Sequence, residues 1–115
     1  MKTITRSTDA LQRRYDELRQ RLAQIGYISQ GSVLDRSRLR PARSGYQWTR
    51  KVAGKTVTVA LSFEQFQFLR QAVQNERKLW QTVQQMEKIS RQILFGTVRH
   101  GRRRQRLSRQ VLGLV

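Results

Sequence analysis

No glycine or proline interrupts the chain from Phe63 to Phe95. This run limits the fold more than any other feature, because either residue would weaken a helix interior. Phe66, Leu69, Val73, Trp80 and Val83 recur at helical spacing, and Met86, Ile89 and Ile93 continue the face after a small drift. Glu76 is the polar member of that stripe. Just upstream, Ser62, Phe63, Glu64 and Gln65 spell a capping box: the Ser62 hydroxyl accepts from the Gln65 amide, and the Gln65 side chain reaches back to Ser62. The expectation is one helix over 62–95, roughly 50 Å long at about 1.5 Å per residue. A small core cannot cover that length, so the helix is expected to project, as half of an antiparallel pair or as a dimer strut.

A second helical stripe lies upstream. Leu11, Tyr15, Leu18, Leu22 and Ile25 recur at steps of four and three. They predict a helix over 7–25, capped by Ser7 or Thr8, with Asp9 in its first turn and Gly26 at its end. Its heptad-like spacing suits packing on the long helix. Residues 1–6 read as a flexible arm.

Between the helices, 27–61 reads as a short antiparallel sheet. Tyr46, Trp48, Arg50 and Val52 share one face of a strand; Val57, Val59 and Leu61 share one face of the next. A two-residue turn at Ala53 and Gly54 pairs Trp48 with Val59 and Tyr46 with Leu61. Thr49, Lys51, Thr56 and Thr58 then occupy the other face, to which Lys55 is also assigned. A lone hairpin is marginal in water, so a third strand from 27–34 or a helix must support it. From Asp35 to Gly45 the chain is polar, basic and broken by Pro41, and reads as a flexible loop. Residues 96–115 read as a basic tail, in which Leu107, Val111, Leu112 and Leu114 form a short terminal helix or a small apolar patch. The fold class is therefore α+β: helix, short antiparallel sheet or hairpin, very long helix, basic tail. Residues 7–95 make one domain.

Charge directs the functional reading. Twenty-four Lys and Arg oppose seven Asp and Glu, for a formal charge of +17 on 115 residues. Such an excess resists compaction unless something anionic shares the surface. The candidate phosphate-binding groups are Arg36, Arg38, Arg40 and Arg43 in the loop; Arg50, Lys51, Lys55, Thr56 and Thr58 on the ribbon; and Arg99, Arg102, Arg103, Arg104, Arg106 and Arg109 in the tail. Arginine suits the task because its planar fork grips a phosphate with two donors. Tyr46 and Trp48 are read first as packing residues, and as base-stacking residues in the sharper alternative. A two-stranded ribbon is narrow enough for a DNA major groove, whereas duplex RNA is met through backbone shape.

No catalytic constellation is visible, and the chain is read as a non-enzyme without cofactor. There is no cysteine, which excludes disulfides and thiolate metal sites. His100 is the only histidine and sits among arginines. Asp16, Glu17 and Glu87 are expected in helix-surface ion pairs. The stretch VAGKT lacks the leading glycine of a phosphate loop and falls at the hairpin turn. The first residues lack the apolar run of a signal peptide or membrane span, and a cytoplasmic, nucleoid- or ribonucleoprotein-associated setting is expected, with no membrane partner.

Certain short pieces carry a resemblance: Gly26-Tyr27-Ile28, Gln30-Gly31-Ser32, Arg50-Lys51-Val52, Gly54-Lys55-Thr56, Leu61-Ser62 and Glu64-Gln65. Over roughly residues 14–94 the chain resembles a group of small bacterial proteins classed only as a domain of unknown function, often found near mobile genetic elements or labelled transposase-like. Many of that group carry several cysteines between the Gly-Ser pair and the hairpin. Here RSRLRPARSG stands in their place, so any metal knuckle is absent. The resemblance assigns no catalytic residue.

The resulting expectation is a nucleic-acid-binding accessory factor for DNA or a structured RNA, linked to a mobile element. The alternatives are an RNA-scaffold or ribonucleoprotein subunit supporting a nuclease or transposase, or a helical protein-interaction adaptor. Expected partners are DNA or structured RNA, a larger nuclease or transposase, and a second copy paired through the long helix.

Overall fold

The structure, a computed structural model, describes residues 6–98 and 107–115. It is an α+β fold with two helices and a short antiparallel sheet: α1 (Arg6–Gln24), β1 (Ser32–Asp35), β2 (Tyr46–Val52), β3 (Lys55–Leu61) and α2 (Phe63–Thr97). A single turn of 3-10 helix, Arg36–Arg38, follows β1. Among the described residues the chain divides into two compact units. One is Ile25–Leu79; the other joins α1 to Trp80–Thr97 and the C-terminal residues.

In the first unit the sheet order is β1-β2-β3, antiparallel throughout. Tyr46 lies opposite Leu61 and Trp48 opposite Val59, the register expected from the alternation and the two-residue turn. That turn has Ala53 at φ 49° and Gly54 at φ 79°. Two successive left-handed residues make the turn whose twist matches the flanking strands. The third strand comes from Ser32–Asp35, with Val33 opposite Trp48.

The sheet is joined to α2 at one end. The Tyr46 ring stacks on Phe66 with centroids 4.5 Å apart and meets Phe63 at 5.5 Å. Phe66, Ala72 and Val73 are the buried apolar residues of α2 in this unit. The capping box forms as written: Ser62 N donates to Gln65 Oε1 at 2.9 Å, and Gln65 N donates to Ser62 Oγ at 3.1 Å. The segment before β1 is pinned to the same helix. Ser29 N donates to the Ala72 carbonyl at 3.2 Å, and Asn75 Nδ2 donates to the Tyr27 carbonyl at 2.9 Å.

Gly26 has a different role from the one expected. α1 stops at Gln24, and Gly26 is not among the positive-φ glycines. A Cβ there would meet Asn75 Nδ2 at 3.3 Å, so the residue leaves room for the Asn75 amide. α1 also begins at Arg6, ahead of the expected Ser7 or Thr8 cap.

In the second unit Leu18 is fully buried, and Thr82 and Ile89 are buried on α2. Arg14 Nη2 reaches Gln85 Oε1 at 3.4 Å, while Ala10 and Leu11 share one depression with Gln92, Phe95 and Gly96. Earlier α1 residues thus meet later α2 residues, and the two segments run antiparallel. Trp80 departs from the predicted stripe: it is 56% exposed, because the next buried position after Val73 is Thr82.

The residues after Leu107 do not trail away. Ser108 Oγ accepts from Val111 N at 3.1 Å and starts a single turn. Leu114 N donates to the Arg109 carbonyl at 2.9 Å and Gly113 N to the Gln110 carbonyl at 3.2 Å. This nested pair, with Gly113 at φ 70°, is a Schellman closure. Arg91 Nε then donates to the Gly113 carbonyl at 2.9 Å, and Gln92 Nε2 to the Leu114 carbonyl at 3.2 Å. Over 107–115 the chain forms a folded turn tied to α2, nearer to the short terminal helix expected around Val111 and Leu112 than to an extended tail. Residues 1–5, read as an arm, and 99–106, read as basic tail, lie outside the described residues.

Candidate nucleic-acid interface

The basic loop is built, not slack. The Asp35 side chain accepts from Ser37 N at 3.0 Å and caps the 3-10 turn. Arg36 N donates to the Gly45 carbonyl at 2.9 Å, while Leu39 N and Arg43 N both donate to the Arg36 carbonyl at 3.0 Å. The flexible loop expected here is thus closed by its own backbone, with Arg38, Arg40 and Arg43 exposed on it. The hydrogen bonds from Ser37 hold the Asp35 carboxyl below its ordinary value of 3.8, with Arg38 adding a smaller pull.

Register sorts the ribbon residues between two faces. Thr49 opposes Thr58 and Lys51 opposes Thr56, so these four share a face with Gln47. Thr49 and Thr58 hydroxyls lie 3.4 Å apart, and Arg36 Nε donates to Gln47 Oε1 at 3.2 Å. Lys55 does not join them. It opposes Val52 and belongs by parity to the Trp48 face, because the turn reverses the chain without changing the alternation.

Tyr46 and Trp48 are both engaged in packing. Tyr46 is held against Phe63 and Phe66. Trp48 donates Nε1–H to the Gln30 carbonyl at 2.9 Å, and the Arg50 guanidinium covers its ring at 4.4 Å. The most exposed aromatic among the described residues lies elsewhere: Tyr27 is 76% accessible and leans on half-exposed Phe68, centroids 5.3 Å apart. Periodicity did not single out Tyr27, because its placement rests on the Asn75 bond to its carbonyl.

Arg50, Lys51 and Thr56 meet Gln30, Gly31, Ser32 and Thr49 around a shallow concavity of about 360 Å³ beside the start of β1. Gln30 and Ser32 are contributors that the sequence reading did not name; their signal was the Gln-Gly-Ser step just before the third strand. Of the predicted tail residues, Arg109 is described and exposed, with Nη2 on the Leu114 carbonyl at 3.3 Å. Arg99, Arg102, Arg103, Arg104 and Arg106 lie outside the described residues.

The partners of the guanidinium groups decide the electrostatics. Arg14 meets Gln85, Arg36 meets Gln47, Arg91 meets the Gly113 carbonyl, and Arg109 meets the Leu114 carbonyl. Arg50 lies over Trp48, and Arg70 over Phe66 at 5.4 Å. Each contact is to a neutral group, which fixes the side chain and leaves its charge standing. One acid–base contact runs within α1, where Arg19 Nη2 is 3.5 Å from Asp16. Among the described residues no three His, Cys, Asp or Glu side chains gather as metal ligands, and no helix is long and apolar enough to cross a membrane.

No family model, curated protein or solved structure matches the chain.

Proposed function

We propose that this protein binds nucleic acid, as an accessory factor that holds duplex DNA or a structured RNA through its phosphates. The observation that carries the reading is the pairing of arginines with neutral acceptors and rings in a chain of formal charge +17. These contacts brace the fold through neutral partners, so the guanidinium charge is left unneutralised there. In this reading Arg38, Arg40 and Arg43 on the closed loop, with Arg50 and Lys51 beside the concavity, are the groups that meet phosphates. Such contacts set orientation and leave base sequence unread. The face carrying Thr49, Lys51, Thr56 and Thr58 has hydroxyl and ammonium donors at strand spacing and suits a groove wall. The link to mobile elements follows from the sequence resemblance alone.

The test is a binding series with a duplex DNA and a structured RNA in rising salt. If six to ten phosphates are neutralised, affinity falls by about a thousandfold or more between roughly 50 and 200 mM salt. An affinity indifferent to salt would sink the reading. The ratio between the two ligands names the preferred one.

A further inference from the structure

We infer that β3 is a self-complementary edge, through which two copies of the chain join antiparallel about Thr58 and merge their sheets into one. This goes beyond nucleic-acid binding and stands without it.

β3 is the last strand in the order β1-β2-β3, and its residues are mostly exposed. The direction of its backbone groups follows from the turn. In a two-residue hairpin the flanking residues, here Val52 and Lys55, exchange hydrogen bonds, and every second pair outward does the same. Arg50 with Val57, Trp48 with Val59 and Tyr46 with Leu61 are therefore the bonded pairs of β2 and β3. The alternation has an internal check: odd-numbered β2 positions must then face β1, and Arg36 N does bond the Gly45 carbonyl at the end of that strand. Thr56, Thr58 and Ala60 are left with N–H and C=O pointing away from β2. Among the described residues nothing takes them.

Edge strands are ordinarily protected by proline, bulges, inward charges or shortness. β3 is as long as β2, lacks proline, is paired to β2 without a bulge, and carries a single charge at Lys55. Its pattern of Thr and Val favours pairing. A second copy fits because Thr58 is the middle of Lys55–Leu61. An antiparallel partner centred there uses the strand's whole length and sets every outward group against an outward group. Thr58 faces the partner's Thr58, and Thr56 faces the partner's Ala60. Val57 meets the partner's Val59, continuing the apolar face. Lys55 lies opposite the partner's Leu61, so no like charges are apposed within the strand pair. The remaining repulsion between two highly cationic chains acts over longer distances, where salt screens it; the screening length is about 8 Å near 0.15 M. Rising salt should therefore favour the dimer while weakening any phosphate contact.

The absence of cysteine makes the test clean. In a bonded antiparallel pair facing Cα atoms are about 5.5 Å apart, within reach of a short thiol crosslink. Thr58→Cys is expected to crosslink to itself, and Thr56→Cys, whose partner is Ala60, is not. Thr58→Pro removes an outward N–H and spares the backbone bonds to β2, losing only the Thr49 hydroxyl contact. It should sediment as a monomer with unchanged circular dichroism, where the wild type dimerises more fully as salt rises. The inference is overturned if the wild type stays monomeric across concentration and salt, which would leave the edge to a strand of another protein. It is also overturned if Thr56→Cys crosslinks as well as Thr58→Cys, or if Thr58→Pro dimerises like the wild type.

Discussion

Trp48 Nε1 donates to the Gln30 carbonyl at 2.9 Å, across eighteen positions of sequence. The bond ties β2 to the segment entering β1 and explains Gly31 between them. Gly31 has φ 102°, and a Cβ there would come within 2.6 Å of both the Thr49 carbonyl oxygen and Trp48 Nε1.

Trp48→Phe keeps a ring beneath Arg50 and removes the donor. It should destabilise the protein by about 1 kcal/mol. Gly31→Ala should cost more, beyond about 2 kcal/mol, because it adds backbone strain to a steric clash with main chain. Urea unfolding followed by far-ultraviolet circular dichroism checks both. Equal stability of Gly31→Ala and wild type would refute the account of this corner.

Acid should loosen the basic loop. The Asp35 carboxylate is lowered below 3.8 by its bonds from Ser37. A depressed carboxylate stabilises the fold above its unfolded value and loses that contribution as pH falls through the folded one. The Ser37 amide resonance should titrate with a midpoint below 3.8. In Asp35→Asn, which retains a capping oxygen, the transition should vanish. A midpoint at or above 3.8 would contradict the cap.

The hairpin turn carries a removable cost. Ala53 sits at φ 49° without the freedom of glycine or the local polar bonding of asparagine. Ala53→Gly should raise stability by about 0.5–1 kcal/mol, visible as a higher urea midpoint at unchanged slope. A lower midpoint would show that the turn is not left-handed at that position.

Gly113 closes the C-terminal turn, and a Cβ there would run into the Arg91 guanidinium. Gly113→Ala should cost about 1 kcal/mol locally and release the turn. Amide exchange should quicken at Leu112 and Leu114 while the amides of Leu18 and Ile89 stay protected. Unchanged exchange at Leu114 would mean the Schellman closure is not what holds the segment.

For the proposed ligand, Arg38, Arg40 and Arg43 changed together to alanine should weaken binding to all sequences alike. The salt slope should fall by roughly 0.9 for each duplex phosphate that is no longer neutralised. Arg36 is left intact because it braces Gln47. A variant with wild-type affinity and slope would remove the loop from the interface.

Several elements are legible in the sequence. The Ser62–Gln65 cap needs residues three apart, and both its bonds form. The pairing of Trp48 with Val59 needs only strand alternation and a two-residue turn. Lys55 was misplaced by reading its charge ahead of its parity. Trp80 was misplaced because a stripe records which residues align, and not where a covering surface lies.

Sequence alone determined what short-range geometry can carry: two helical stripes, the cap, the hairpin register and an excess of cationic groups. Tertiary structure decided how those groups are used. It buried Leu18 fully, exposed Tyr27, closed the arginine loop through Arg36 and Gly45, and folded Ser108–Leu114 back onto Arg91 and Gln92. These outcomes depend on bonds between residues far apart along the chain, whose partners are chosen by three-dimensional proximity that local periodicity does not contain.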